Sequence, residues 1–386
     1  MKTLGYYVFA IVYYLCKPLP VRKKKVFCIT THDDGKGSNV NIVKKALEEK
    51  GLGYTFSYIK KSETLEVKQF KNIRTIFSFF IIKPYEMAKA EIILMDNVFI
   101  PMAFFRVKKA TMVVQLWHGT GTIKKFGQDA NQGRLKKLEK RANANITHLI
   151  VNSNEMKDLY AGAFGISKNR IYPIGLPKTD ELFYKLKNRD EETLDRNKST
   201  DKEWIYKKYS IPEDKKLILY APTFRDCDEN RLEVVEKIRE IALELPQEYY
   251  LGVRLHPFVA HEVYNHKLTN GEDRIINMSF EEEQGVLLMA SDILITDYSS
   301  IIFEYSLTER PVIFFAYDLH QYEKSDRGFY YNYQSYVPGP IVQTGKELGK
   351  LLAEGQISTD VIKEFKKKNF PYLDGKAVER LINLFD

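Results

Sequence analysis

Residues 25–59 read KVFCITTHDDGKGSNVNIVKKALEEKGLGYTFSYI, and this stretch decides the fold. KVFCITT (25–31) is a short apolar, β-branched run that reads as a strand. It ends in a polar loop from His32 to Ser38. Val40, Ile42, Val43, Ala46 and Leu47 then recur at helical spacing, and Gly51-Leu52-Gly53 stops the helix. YTFSYI (54–59) is the next strand. A strand, a crossover helix and a second strand form the unit of a parallel sheet. The pattern continues with EIILMD (91–96), ATMVVQLW (110–117), THLIVNS (147–153) and RIYPIG (170–175). Residues 184–215 are charged and lack a long apolar strand, and read as exposed helix and linker. The alternation restarts with KLILYAPT (216–223), EYYLGVRLHP (248–257), DILITD (292–297) and PVIFF (311–315). The fold class expected is therefore α/β, with two parallel-sheet domains, 1–183 and 216–345, and terminal helices over 346–386. Two such domains suggest a cleft, since open parallel sheets bind ligands at the carboxyl ends of their strands.

The 386 residues are 44% hydrophobic and 28% charged, which excludes disorder. Cys16, Cys28 and Cys227 are too few and too scattered for a disulfide framework or a cysteine zinc site. No apolar run reaches the roughly 20 residues of a membrane-spanning helix. The net charge of +8 is unevenly placed. Residues 1–150 carry 27 Lys+Arg against 11 Asp+Glu, and residues 151–386 carry 32 against 40. The chain opens with LGYYVFAIVYYLC (4–16), then Lys17, Pro18, Pro20 and the cluster Arg22, Lys23, Lys24, Lys25. No small-residue cleavage site follows, so this is not a signal peptide. It reads as an interfacial anchor on an anionic leaflet, or as a buried terminal helix beside a solvated lysine face. More cations (Arg106, Lys108, Lys109, Arg134, Lys136, Lys137, Lys140, Arg141) lie among apolar stretches such as TIFSFFII and VFIPMAFF. No nucleic-acid motif is present, and no nucleic-acid partner is expected.

Four segments carry candidate chemistry. In TDYSS, Thr296, Asp297, Ser299 and Ser300 stand between a strand and a helix, where a diphosphate could meet backbone amides and hydroxyls, or Ser or Asp could simply cap the helix. In WHGTG, His118 closes a strand ahead of two glycines and of Lys124 and Lys125; it suits a general base, or a structural His bonded to a loop carbonyl. Arg254 and His256 end a third strand, where alternation would set both on one face. Thr223 and Arg225 follow KLILYAP, with a surface ion pair to Asp226 as the plain reading of Arg225. There is no GxxxxGK[ST] loop and no HExxH; His32-Asp33-Asp34 reads as a turn with Asx capping, and no metal is expected.

WHGTGTIKKFG, YAPTFRD, RLHP and TDYSS, in this order, resemble the CDP-glycerol glycerophosphotransferases of teichoic acid synthesis. PIGLPKTD and DGKAVER look like further segments of that family. The resemblance implies a GT-B architecture: two Rossmann-like domains with parallel sheets facing across a cleft, and the last helices packing back across it. It implies an N-terminal domain for a lipid-linked acceptor and a C-terminal domain for the donor, CDP-glycerol, which is a substrate; no cofactor is implied. His118 matches the family base and His256 the His that stabilises charge on the donor phosphates. Ser299 and Ser300 match the donor-phosphate serines, Thr296 and Asp297 share their loop, and Arg254, Arg225 and Thr223 join them by position. Arg22, Lys23, Lys24, Lys25, Lys124 and Lys125 would face the acceptor and an anionic membrane, with the enzyme peripheral on the cytoplasmic face of the plasma membrane. Family polymerases commonly read WHGTP; here Gly121-Thr122-Ile123 precedes Lys124-Lys125, which looks more like the primase branch. The short chain agrees with that branch. The expected reaction is transfer of glycerol phosphate to an undecaprenyl-diphosphate-linked disaccharide with release of CMP. The alternatives are a polymerising glycerol- or ribitol-phosphate transferase of the same family, a GT-B sugar-nucleotide glycosyltransferase, and a non-catalytic binder of anionic lipid.

Overall fold

The opening strand–helix–strand motif sets the frame of the first sheet. β1 (Arg22–Thr30) and β2 (Thr55–Lys60) pair in parallel, with Val26 opposite Phe56 and Cys28 opposite Tyr58. Helix α2 (Asn39–Glu49) crosses between them, its first turn capped by the Ser38 hydroxyl, which accepts the Asn41 amide. Val40, Val43 and Leu47 bury its inner face against Val26 and Cys28. The computed structural model describes residues 2–69, 72–188, 200–223, 225, 233–256, 259–260, 273–325 and 328–385. Phe224, Asp226, Cys227 and Pro257 lie outside these.

β3 (Ala90–Met95), β4 (Met112–Gln115), β5 (His148–Val151) and β6 (Ile171–Pro173) complete a parallel six-stranded sheet of order β2-β1-β3-β4-β5-β6. The chain leaves β1 toward β2 and returns on the other side of β1 to begin β3. The gap between the carboxyl ends of β1 and β3 is thus the sheet's switch point, the usual place for a ligand. A second parallel sheet is built from β7 (Lys216–Tyr220), β8 (Tyr249–Val253), β9 (Ile275–Asn277), β10 (Ile293–Thr296), β11 (Val312–Phe315) and β12 (Ile341–Val342). Its order is β12-β11-β10-β7-β8-β9, so its switch point lies between β7 and β10. The architecture is α/β with two Rossmann-like sheets, as expected.

The chain forms two compact units. The first contains Met1–Thr120, Lys125–Asp180 and Tyr372–Asp386; the second contains Gly121–Lys124 and Glu181–Pro371. Two of the segments singled out in the sequence meet inside the first unit. The Asp180 carboxylate of PIGLPKTD accepts the amides of Ala377 and Val378 at 2.9 and 2.8 Å, while Arg380 Nε donates to the Ile174 carbonyl at 2.8 Å. Leu381 and Ile382 finish the first core. In the charged stretch after residue 183, the helices Pro177–Asn188 and Asp201–Lys208 flank residues outside the described set, and Ile205 and Tyr206 are buried.

Two local expectations change. β1 begins at Arg22, earlier than the strand read from the sequence, so the cationic cluster is sheet rather than a free basic run. Lys25 is buried and paired with Glu86, because an ammonium leaves water only when a carboxylate meets it. Lys24 Nζ donates to the Leu52 carbonyl, and Arg22, Lys23 and Lys24 stay exposed. Helix α1 (Lys2–Cys16) packs on the protein along one face, as the reading of a buried terminal helix expects, and leaves another face exposed. Phe9 and Tyr13 are buried against Phe79, Phe99 and Phe105, whereas Leu4, Tyr7, Ile11 and Leu15 are exposed. Among the described residues no helix is long and apolar enough to cross a membrane.

Candidate active site

In the first unit, three strand ends meet around one residue, Asp96. Asp96 follows β3 directly and is 1% exposed. Its side chain accepts the consecutive amides of Thr31 (3.0 Å), His32 (3.2 Å) and Asp33 (2.9 Å) from the loop after β1. Burial pushes the Asp96 carboxyl up to about 6, against the pull of these three amides. The Asp33 side chain accepts the Gly35 amide at 2.9 Å, the Asx turn read from the sequence.

His118, three residues beyond β4, is half-buried. Its Nδ1 lies 3.1 Å from the Asp96 carbonyl oxygen. A carbonyl only accepts, so Nδ1 carries the proton and Nε2 keeps its lone pair. The His32 ring stacks on His118 with centroids 3.6 Å apart and planes 11° from parallel. Burial first, then the neighbouring His32 and Lys178, hold the His118 imidazolium well below the usual histidine range. Lys178 Nζ donates to the His118 carbonyl at 2.8 Å, and Asn39 Nδ2 donates to the Trp117 carbonyl at 3.0 Å. Trp117 takes a left-handed φ of 53°, which turns the chain sharply just ahead of His118. The outcome is a neutral, oriented imidazole at the switch point of the first sheet.

The second unit repeats the arrangement with different electrostatics. Asp297 follows β10 directly, is fully buried, and accepts the Thr223 amide from the loop after β7 at 2.8 Å. Its other oxygen accepts from Arg225 Nη2 at 2.9 Å. Arg225 also grips Asp318 with Nε and Nη2, at 2.7 and 2.9 Å, and donates from Nη1 to the Thr223 carbonyl at 2.7 Å. Tyr298 and Tyr322 each lie 5.0 Å from the guanidinium, and the Tyr298 hydroxyl donates to Asp318. The Thr296 hydroxyl donates to the Ala221 carbonyl at 2.7 Å, and the Tyr333 hydroxyl to the Asp297 carbonyl at 2.9 Å.

The sequence candidates of this unit thus separate into two groups. Thr296 and Asp297 are buried, Arg225 is half-buried, and all three are engaged with one another's loops. Ser299 and Ser300 are half-buried, and Ser299 Oγ accepts the Ile301 amide. The Thr223 hydroxyl is buried without a hydrogen-bond partner among the described residues. β8 ends at Val253, so the strand alternation read for Arg254 and His256 does not reach them. Arg254 Nη1 donates to the Glu281 carbonyl at 2.7 Å, and the exposed His256 starts a helical turn, its carbonyl accepting the amides of Val259 and Ala260. Lys124 bridges to Phe329 in the second unit, while Lys125 belongs to the first; both are half-buried. Arg22, Lys23, Lys24 and Lys25 sit at the amino end of β1, the end opposite the His118 loop. Sequence reading passed over Asp96, the His32 stack and Asp318; only the position of Asp96 and Asp318 just past apolar strands hinted at them.

Known proteins resemble this chain along most of its length. The family model described as CDP-glycerol:poly(glycerophosphate) glycerophosphotransferase matches residues 11–385. A teichoic acid poly(ribitol-phosphate) polymerase of Bacillus spizizenii is 31% identical over 99% of this chain, which spans 59% of that protein. A teichoic acid glycerol-phosphate primase of Bacillus subtilis is 31% identical over 78% of this chain and 75% of its own. A solved structure of the wall teichoic acid polymerase TagF, soaked with CDPG, superposes with a TM-score of 0.78 and 24% identity over 99% of this chain and 93% of its own. A putative UDP-N-acetylglucosamine 2-epimerase of Listeria monocytogenes shares the fold at a TM-score of 0.58 and 15% identity. The chain therefore belongs to the CDP-glycerol:poly(glycerophosphate) glycerophosphotransferase family, the transferases of teichoic acid synthesis.

Proposed function

We propose that this protein transfers glycerol phosphate from CDP-glycerol to a hydroxyl of an undecaprenyl-diphosphate-linked disaccharide, as a primase of wall teichoic acid. His118 Nε2 takes the proton of the acceptor hydroxyl as that oxygen attacks the β-phosphorus. The new P–O bond forms as the bond to the bridging oxygen breaks, and CMP leaves with that oxygen. Phosphoryl transfer of this kind needs positioning and charge stabilisation more than covalent help. Ser299, Ser300, Thr223, Arg254 and His256 serve the donor phosphates; Arg225, Asp297 and Thr296 hold the loops that present them. The exposed apolar face of α1 with Arg22 and Lys23 rests on the anionic cytoplasmic leaflet, and Lys124 and Lys125 attend the acceptor.

The observation that carries the reading is His118 itself: neutral, with Nδ1 committed to the Asp96 carbonyl and Nε2 left as a base. The test is CMP release from CDP-glycerol with a lipid-linked disaccharide, followed by mass analysis of the product. One added glycerol phosphate is the expected result, with His118→Ala folded and at least about a hundredfold slower. A ladder of products instead favours a polymerase, the activity named for the ribitol-phosphate relative that aligns along 99% of this chain. Turnover of a UDP- or GDP-sugar in preference to CDP-glycerol overturns the proposal.

A further inference from the structure

We propose that His32 is a positioning residue for His118: its ring, stacked face to face on the His118 imidazole and anchored through its own amide to the Asp96 carboxylate, fixes the plane and direction of the base. This rests on the reading of His118 as the base.

Three independent contacts lead to it. The two rings are 3.6 Å apart and 11° from parallel, closer and flatter than a chance neighbour. The backbone beneath His32 is pinned at three successive amides by Asp96, so the loop after β1 has little freedom to withdraw the ring. The same residue, Asp96, accepts the His118 Nδ1 proton through its main-chain carbonyl. One residue after β3 therefore holds both imidazoles, one by side chain and one by backbone. His32 is exposed while His118 is half-buried, so His32 covers one face of the base and leaves its in-plane Nε2 direction to a reacting hydroxyl.

The stack has an electrostatic consequence. Two imidazolium rings at this separation repel, so a charge on His32 opposes a charge on His118. Among the described residues, the charged and titratable groups around it include Asp96 after β3, Asp33 next to His32 in sequence, and Lys178, whose ammonium sits on the His118 carbonyl. Lys178 and His32 both oppose a charge on His118, and burial opposes it more. Asp96 is turned toward the loop amides. His32 thus keeps the lone pair of His118 available at pH values where a lone histidine would begin to protonate.

The test uses the full chain with 15N-labelled histidine and two variants, His32→Phe and His32→Ala, checked by circular dichroism. Of the seven histidines, His118 is assigned by His118→Gln. In the unmodified protein His118 shows the Nδ1–H tautomer and titrates below the usual histidine range. In His32→Phe the flat stack remains without its charge, so the tautomer persists while the His118 titration moves up by about one unit. The acid limb of CMP release moves up with it. In His32→Ala the ring loses its support: the tautomer becomes mixed, and kcat drops about tenfold with the KM for CDP-glycerol unchanged. His118 titration and tautomer unmoved in both variants would overturn the proposal. Should His118→Gln itself keep full activity, the base assignment fails, and the NMR arm still decides whether His32 orients its neighbour.

Discussion

Removing the Arg225 guanidinium should cost the second unit more than any exposed ion pair can. Arg225, Asp297 and Asp318 have side chains 10%, 1% and 8% exposed, so the network is essentially dry. Arg225→Met keeps the stem and deletes the cation, leaving two carboxylates facing each other across the vacated site. Breaking one partner of a buried ion pair typically costs about 3–5 kcal/mol. Asp297 retains the amides of Thr223 and Tyr298, and Asp318 retains the Tyr298 hydroxyl, which argues for the lower part of that range. We expect about 3–4 kcal/mol, a large share of the roughly 5–15 kcal/mol that holds a domain folded. The chain has two tryptophans, Trp117 in the first unit and Trp204 in the second. In a Trp117→Phe background, urea unfolding followed by fluorescence reports on the second unit through Trp204. The double variant Arg225→Met with Asp318→Asn removes one orphaned charge and should recover about 1–2 kcal/mol. A single-variant loss below about 1 kcal/mol, or no recovery in the double variant, would refute the account of this network as a dry, mutually dependent triad.

Three further outcomes are expected. Burial raises Asp96 to about 6, so its charge opposes folding above that pH; the stabilisation is present at low pH and lost as pH rises through about 6. Unfolding at pH 4.5 and 7.5 should then show the unmodified protein gaining about 2 kcal/mol relative to Asp96→Asn on acidification, and parallel pH profiles would refute this. At Gly121, a Cβ would stand 2.3 Å from the Phe303 ring, one turn into the helix that begins after Ser300. Gly121→Ala should cost about 1–3 kcal/mol and raise the KM for CDP-glycerol; an unchanged melting temperature and KM would show that the ring yields freely. Ile11 and Leu15 of α1 are 57% and 75% exposed. The double variant Ile11→Glu with Leu15→Glu should lower co-sedimentation with anionic vesicles about tenfold or more, and equal binding would remove α1 from the membrane contact.

Parallel strands buried on both faces are continuous apolar runs, which is why EIILMD and DILITD announced themselves without any partner in view. β9 and β12, with three and two residues, are too short to carry such a signal. The run TIFSFFII was apolar without a clear period, and it folds as helix through a π-turn at Ser78–Ile82, with Phe79 turned into the core beneath α1. His118 was legible because a histidine at a strand end before two glycines is unusual in type and place. Asp96 was not, because its partners are the amides of residues more than 60 positions earlier. A carboxylate that works by gripping backbone leaves no mark on the residues it grips. Arg225 was legible as a cation at a strand end but not as the partner of Asp318, which lies 93 residues downstream.

The two sheets place an aspartate at the same topological position and treat it in opposite ways. Asp96 and Asp297 each follow directly the strand across the switch point, β3 and β10; Asp96 accepts three amides and Asp297 one from the loop after the first strand of its unit. Such a residue ties together two loops that share only the sheet. In the second unit Arg225 pairs with the carboxylate and spends its own donors doing so, which on the proposed function lets the loop present hydroxyls beside an anionic donor. In the first unit three amides do the holding, and among the described residues no cation pairs with Asp96. A guanidinium there would offer donors that compete with His118 Nδ1–H for the Asp96 carbonyl that sets the tautomer. Amides carry partial charge only, and so fix the loop without dictating the protonation of the base. On the proposed function, amides at the first strand end leave the Asp96 carbonyl to orient the base, while the guanidinium beside Asp297 offsets a buried negative charge next to the donor loop.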